Sequence, residues 1–329
     1  MNIYTLTPNP AMDLSGHVSK LVANEKNYVE DERRDPGGNG INAARIIHRL
    51  GGKTITMGFL GGSTGDEVLS LLKREGVAAS FTPIKNCTRT NVTVTNDADH
   101  KQTRLTFPGP AVSKNEIRAL LESIRKLAKP GIMVIGGSMP QGCPPEFHNI
   151  ISKAASQRGL GIVIDVPGKF ISSVTNSRIS PLLIKPNLAE LEHWRKTPLR
   201  TDNLIIAAAK TLAAKSAIVC VSLAERGAIL ISGSCAWFGK APKVKARGTV
   251  GAGDSMVGAM VTQMAKFSIS SWADVKTALS RQDYAMFSEI LAWGIAAGAA
   301  TAEARGTALA DVSEIFRLRK QVVVNPIAC

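Results

Sequence analysis

From residue 54 onward, short apolar runs alternate with longer stretches in which apolar residues recur every third or fourth position. The runs at 54–60, 132–135, 161–166, 182–184, 217–221 and 228–231 have the length and continuous apolar character of strands covered on both faces. Amphipathic stretches of helix length lie between most of them, at 66–75, 113–129, 145–158 and 201–215. This alternation predicts an α/β fold: a doubly wound, mostly parallel sheet with helices on both faces. Ligands of such sheets gather at the carboxyl ends of the strands, so chemistry is expected just after each apolar run. No repeat, linker or low-complexity segment divides the chain, which reads as a single domain over 1–329.

Two regions break the pattern. Residues 17–35 and 88–107 are polar and often alternate, as in Asn91-Val92-Thr93-Val94-Thr95. Alternation of that kind suits exposed antiparallel strands better than a core βα unit. Together, over about 13–35 and 87–108, they predict a small β-sheet lid projecting from the main body. Its apolar face is a candidate surface for pairing two copies of the chain into a homodimer.

The stretch Thr249-Val250-Gly251-Ala252-Gly253-Asp254 precedes an uncharged run over 255–265 in which Met256, Val257, Met260, Val261 and Met264 follow helix spacing. The glycines therefore sit at the mouth of a helix. There the first N–H groups lack internal partners and the positive end of the helix dipole lies behind them, which makes an anion site. Asp254 adds a carboxylate at its edge. Phosphoryl transfer to a hydroxyl needs this pairing of donors for the moving charge with a base for the attacking oxygen. The competing reading is that Asp254 only starts the helix.

Composition narrows the classes. The chain has 329 residues, 44% hydrophobic and 20% charged, which is ordinary globular usage. The net charge of +14 comes from scattered Lys and Arg, densest at Lys240, Lys243, Lys245 and Arg247. With only 5% aromatic residues and no nucleic-acid reader motif, steering of anionic substrates explains the excess better than nucleic-acid binding. The five cysteines form no C-x-x-C and the histidines show no zinc spacing, so a reducing cytoplasm is the expected setting. The first residues lack signal-peptide character, and the longest apolar stretch, 290–302, is too short and too rich in Gly and Ala to span a bilayer, so no membrane partner is expected.

A second glycine stretch, Asp35-Pro36-Gly37-Gly38-Asn39-Gly40-Ile41-Asn42-Ala43-Ala44, opens another helix and satisfies a relaxed G-x-G-x-x-A dinucleotide fingerprint. It does not follow a core strand, however, and no acid stands in 58–62, where the fingerprint requires one. Gly52-Lys53-Thr54 resembles a P-loop ending, but Ile47 occupies the position of the required glycine.

Taken together, the two glycine stretches resemble the signatures of the PfkB, or ribokinase-like, family of carbohydrate kinases. Gly37-Gly38-x-Gly40-x-Asn42-x-Ala44 is similar to the first signature, Gly251-Ala252-Gly253-Asp254 to the second, and the likeness runs from Tyr4 to about Gly306. The resemblance implies a catalytic base at Asp254 and an anion hole in the N–H groups of Gly251, Ala252 and Gly253. It implies sugar contacts at Asp13, Gly37, Gly38 and Asn42. Nucleotide contacts are implied at Lys185, Asn187, Ser222, Gly227 and Thr249, with Gly298 on the adenine side. Asn187-x-x-Glu190 resembles a family motif that organises Mg²⁺ and phosphates, with Glu190 the metal-side carboxylate, directly or through water.

Arg89 and Arg104 lie on two neighbouring candidate strands and could converge on a phosphate already present on the sugar. Ser138, in Gly136-Gly137-Ser138-Met139-Pro140, and Lys26 on the lid are further candidates. The resemblance thus implies ATP and a ketohexose phosphate as partners, in the manner of the family's 6-phosphofructokinases acting on the 1-hydroxyl of fructose 6-phosphate. 1-Phosphofructokinase and tagatose-6-phosphate kinase are the alternatives. The chain departs from the pattern at Gly248, where many members have Asp, which leaves a monovalent-cation site open. It departs also at Asn39, and in the long stretch 267–289.

Overall fold

The structure is a computed structural model and describes residues 1–177 and 179–328. Its strands are β1 (Asn2–Thr7), β2 (Ala11–Val18), β3 (Glu30–Gly37), β4 (Thr54–Leu60), β5 (Ala78–Pro83), β6 (Arg89–Asn96), β7 (Lys101–Leu105), β8 (Gly131–Gly136), β9 (Leu160–Asp165), β10 (Leu183–Ile184), β11 (Ile218–Ser222), β12 (Ala228–Ser232), β13 (Cys235–Gly239) and β14 (Val324–Ala328). Its α-helices are α1 (Asn39–Arg49), α2 (Gly62–Arg74), α3 (Lys114–Arg125), α4 (Phe147–Gln157), α5 (Ile171–Thr175), α6 (Leu188–Arg195), α7 (Asp202–Ala213), α8 (Ala252–Lys266), α9 (Trp272–Ser280), α10 (Tyr284–Glu303) and α11 (Val312–Arg319).

The large sheet has ten strands in the order β14-β13-β12-β11-β10-β9-β8-β1-β4-β5. The pairings from β5 through β11 are parallel; β12, β13 and β14 extend the sheet as an antiparallel ribbon. The run at 228–231 is thus a strand of reversed direction, which an apolar run alone does not reveal.

Each face of the sheet carries its own core. On one, α8 and α10 pack together over Val134, Val163 and Leu230; on the other, α4 and α7 cover Ile135, Ile164 and Val219. Nearly all of α8 from Asp254 to Met264 is buried, which is why its sequence carries no solvated stripe. α10, at 20 residues, is the one helix among the described residues long and apolar enough to cross a membrane; it lies packed on α8 and α11. The stretch 267–289 forms α9 and the beginning of α10, and Ser270 in it abuts Gly161 at the start of β9, the sheet edge away from the strands' carboxyl ends.

The two polar regions form a separate four-stranded sheet, β3-β2-β6-β7. β3 and β7 pair antiparallel to their neighbours, while β2 and β6 run parallel from Ala11 opposite Arg89 to Val18 opposite Asn96. β2 begins four residues after β1 ends, so this lid springs from the carboxyl edge of the main sheet.

Candidate active site

Strand order reverses at β1: the chain leaves β1 toward β4 and β5 on one side and returns with β8 on the other. The crevice at such a switch point is where an open parallel sheet binds ligands. A cavity of about 250 Å³ opens there. Its walls are Thr7 at the end of β1 and Asn9 just after it, Gly38 and Asn39 at the start of α1, Arg89 of the lid, Gly137 and Ser138 after β8, Asp165 at the end of β9 with Val166 and Pro167 just after it, and Glu190. Gly38, Arg89, Ser138 and Glu190 were legible as candidates. Asp165 was not, although it ends β9 inside the apolar run at 161–166.

The glycine turn lies beside this cavity. Gly251 has φ of 74° and is the residue before α8, with no side chain capping the helix. Asp254 is the third residue of α8, so it does not cap the helix; it is buried instead. Among the described residues the N–H groups of Gly251 and Gly253 have no acceptor, and that of Ala252 reaches only the Thr249 carbonyl, at 3.4 Å. These donors stand at the positive end of a 15-residue helix, a place suited to an anion.

The carboxylate is held from two sides. Asn42 Nδ2 donates to Asp254 Oδ2 at 2.8 Å, and Asp165 lies within hydrogen-bonding reach. Asn42 therefore touches the Asp254 carboxylate rather than lining the cavity. Burial above all, and then the charge of Asp165, push the Asp254 carboxyl up to about 7. A group with that value is matched to proton transfer at neutral pH.

Lys185 Nζ meets Asp165 Oδ1 at 3.1 Å. Burial alone would lower the ammonium's pKa, but the charge and hydrogen bond of Asp165 together with the charge of Glu190 and smaller contributions turn the net shift upward. Asn39 Nδ2 donates to the other oxygen of Asp165 at 3.4 Å. Asn187 and Glu190 form a reciprocal capping box at the start of α6, which is the structural reading of Asn-x-x-Glu; Glu190 also reaches the cavity wall, where burial raises its carboxyl. Among the described residues no three His, Cys, Asp or Glu side chains form a metal cage. Two carboxylates facing one cavity, Asp165 and Glu190, are instead the sparse oxygen set that suits Mg²⁺ carried in on phosphates.

On the lid side, Asp13 Oδ1 accepts from Asn91 Nδ2 at 3.0 Å, and burial raises its carboxyl. A Cβ on Gly37 would stand 2.1 Å from Asp13 Oδ2, so Gly37 leaves room for this carboxylate. Arg89 donates to the carbonyls of Phe107 at 2.6 Å and Asn9 at 2.9 Å, and its Nε is buried without a partner. Arg104 donates to Thr249 Oγ1 at 3.2 Å. Arg104 stands opposite Thr93 in the β6–β7 register, on the same face as Arg89 but four residues along, roughly 13 Å at strand rise. The two guanidiniums therefore hold separate partners and do not converge in this structure.

The remaining candidates scatter. Lys26 sits in the β2–β3 connection with Nζ 5.7 Å from the Tyr28 ring and does not line the cavity. Ser222 ends β11 and bridges to Asn187. Gly227 is required by a close approach to the Gly239 carbonyl, and Gly298 lies in α10 where its bare backbone faces the Ala252 carbonyl. Neither lines the cavity. His148, absent from the sequence candidates, lies buried beneath the Gly136–Ser138 loop with Nε2 3.2 Å from the Gly137 carbonyl.

Residues 9–314 match the pfkB family carbohydrate kinase domain, which covers both glycine stretches and the cavity between them. The chain belongs to the PfkB family. It is a phosphotransferase of that family's carbohydrate kinase type. It is 32% identical over 322 residues to the ATP-dependent 6-phosphofructokinase isozyme 2 of Escherichia coli, covering 96% of this chain and 98% of that one. It is also 32% identical to the 1-phosphofructokinase of Bacillus subtilis over 266 residues, or 80% of this chain and 86% of its relative. Phosphofructokinase-2 from Escherichia coli, solved in complex with substrates and products, superposes with a TM-score of 0.86 at 31% identity, covering 98% and 99% of the two chains. The PfkB fold thus accounts for both the main sheet and the lid.

Proposed function

We propose that this chain transfers the γ-phosphoryl group of ATP to the 1-hydroxyl of fructose 6-phosphate, giving fructose 1,6-bisphosphate. The observation that carries the reading is Arg89, the one cation lining the cavity among the described residues. A guanidinium on the cavity wall offers a phosphate a charge-assisted interaction that a free sugar cannot repay. Ser138, which lines the same cavity and accepts from Asn9 Nδ2 at 3.3 Å, adds a hydroxyl. The likeness to the Escherichia coli 6-phosphofructokinase along nearly the whole chain supports the 6-phosphate over the 1-phosphate reading.

In this mechanism Asp254, ionised, accepts the proton of the attacking hydroxyl on Oδ1, while Asn42 occupies Oδ2. The N–H groups of Gly251 and Gly253 receive the charge spread over the moving phosphoryl. Asp13 binds sugar hydroxyls from the lid side. Asp165 and Glu190 would hold Mg²⁺, with Lys185 beside Asp165; the ion would neutralise phosphate charge.

Exposed Tyr28, Val29, Leu105 and Phe107 give the lid an apolar surface that a second copy would cover, making a homodimer. Sedimentation at micromolar concentration checks that assembly, and a monomer that persists there ends it.

A coupled ATP-consumption panel with fructose 6-phosphate, fructose 1-phosphate, tagatose 6-phosphate and free fructose tests the substrate. The reading expects the highest kcat/KM on fructose 6-phosphate. A preference for fructose 1-phosphate moves the chain to the 1-phosphofructokinase reading, and equal activity on free fructose removes the phosphate argument.

A further inference from the structure

The densest basic cluster of the sequence takes no part in the catalytic cavity: none of Lys240, Lys243, Lys245 and Arg247 lines it. Lys245 and Arg247 line a different concavity of about 490 Å³, bounded by the end of α10, the loop over 304–311, the start of α11, Arg33 of β3 and Arg49 of α1. Six cationic and three acidic side chains face it. Three of the cations are already engaged: Arg33 with Asp35, Arg317 with Glu303 and Glu314, and Arg49 with the carbonyls of Leu309 and Ala310. The side chains of Lys245, Arg247 and Arg305 have no hydrogen-bond or ion-pair partner among the described residues. They stand exposed around one hollow.

Three unpaired cations, set against the single carboxylate of Asp311, leave the concave, low-dielectric wall with an excess of positive potential that concentrates multivalent anions. The volume lies in the range of small-molecule sites. Two free guanidiniums present planar forks that match phosphate oxygens. We propose that this hollow is a second anion site, separate from the catalytic cavity, that binds a small molecule carrying two or more linked or nearby phosphates.

Its position also touches the machinery. The N–H groups of Arg247 and Gly248 donate to the Ala302 carbonyl at the end of α10, and two residues after Arg247 comes Thr249, which leads into the glycine turn. On the other rim, Thr307, two residues after Arg305, donates to Asp35 Oδ2 at 2.8 Å, at the base of the lid. An occupant bridging Arg247 and Arg305 ties these two segments together.

The test uses inorganic tripolyphosphate, titrated calorimetrically at constant ionic strength. Three proteins are compared: the wild type, the Lys245→Ser/Arg247→Ser/Arg305→Ser variant, and Gly253→Asp, which puts a carboxylate among the donors of the catalytic turn. The expected result is two sites per wild-type chain and one in each variant, with the triple variant retaining kinase activity within about twofold. Arg305→Glu alone, at an exposed loop position, should weaken the second site at least tenfold and keeps the test intact if the triple variant folds poorly. The proposal is overturned if the wild type binds one equivalent that Gly253→Asp abolishes, or if Arg305→Glu leaves all binding unchanged.

Discussion

Asn42, in the first turn of α1, donates from Nδ2 to Oδ2 of Asp254, in the first turn of α8, at 2.8 Å across 212 residues of sequence. The two glycine stretches are thus parts of one device, the first holding the carboxylate that the second carries. The bond favours the ionised carboxylate against burial and the neighbouring Asp165, both of which favour the proton. Asn42→Leu removes the donor without adding charge. The acid limb of the kcat/KM profile should then move above pH 7 and kcat at pH 7 should fall roughly 10- to 100-fold. An unmoved limb would show that Asn42 does not set the basicity of Asp254.

Asp254 carries a second consequence. Its folded pKa of about 7 lies above the ordinary carboxylate value of 3.8. The folded state therefore binds its proton more tightly than the unfolded chain does. The stability this gives is fully present below pH 3.8 and is lost as pH rises through 7. Asp254→Asn removes the buried charge yet keeps an oxygen to accept from Asn42. The variant should lose turnover by several orders of magnitude while unfolding at higher urea than the wild type at pH 8, by roughly 2–4 kcal/mol. A variant less stable than wild type at pH 8 would contradict the account of the site.

Much of this arrangement was legible in the chain. The run at 54–60 is β4 residue for residue, and the polar alternation around Asn91 is indeed a lid strand, because both patterns are local consequences of which face is covered. Non-local pairing was not legible. Nothing in β12 announces that it runs against β11, and nothing in the lid announces that β2 and β6 run parallel. The convergence expected of Arg89 and Arg104 failed for the same reason: neighbouring strands were correctly placed, but the register that sets Arg104 opposite Thr93 is fixed by contacts between strands. Asp165 was missed because a single acid at the end of an apolar run reads as the strand's boundary, and its meaning comes only from Lys185 and Asp254 folding against it.

His148 makes a prediction that concerns stability alone. It is buried against Phe170, and burial drops its imidazole to about 4 from 6.5. The neutral ring is thus favoured in the fold, so its contribution is present above pH 6.5 and is lost as pH falls through 4. The shift corresponds to about 3 kcal/mol, lost progressively over that window. Urea unfolding at pH 7.5, 6 and 5 should show a decline that His148→Gln largely lacks. Equal slopes for the two proteins would mean that other groups drive the acid sensitivity.

Gly37 and Asp13 make a steric prediction. A Cβ on Gly37 would lie 2.1 Å from Asp13 Oδ2, so Gly37→Ala must push that carboxylate out of its place beside Asn91. KM for the sugar phosphate should rise about tenfold or more, while KM for ATP stays within about twofold, because the displaced group lies on the lid side and touches no part of the glycine turn. A rise in both constants would indicate a general disturbance of the crevice.

The separation of Arg89 and Arg104 divides their roles. Arg89 lines the cavity, whereas Arg104 is exposed at Thr249, four strand positions away. Truncating a buried partner of a charged group costs about 2–5 kcal/mol, so Arg89→Met should erase most of the preference for phosphorylated over free sugar, by about 100-fold in the ratio of kcat/KM values. Arg104→Met should change that ratio less, because its guanidinium must leave Thr249 and cross toward the cavity before it can contribute. If Arg104→Met proves as damaging as Arg89→Met, the side chain makes that crossing when substrate binds. The two arginines then converge only in the closed complex.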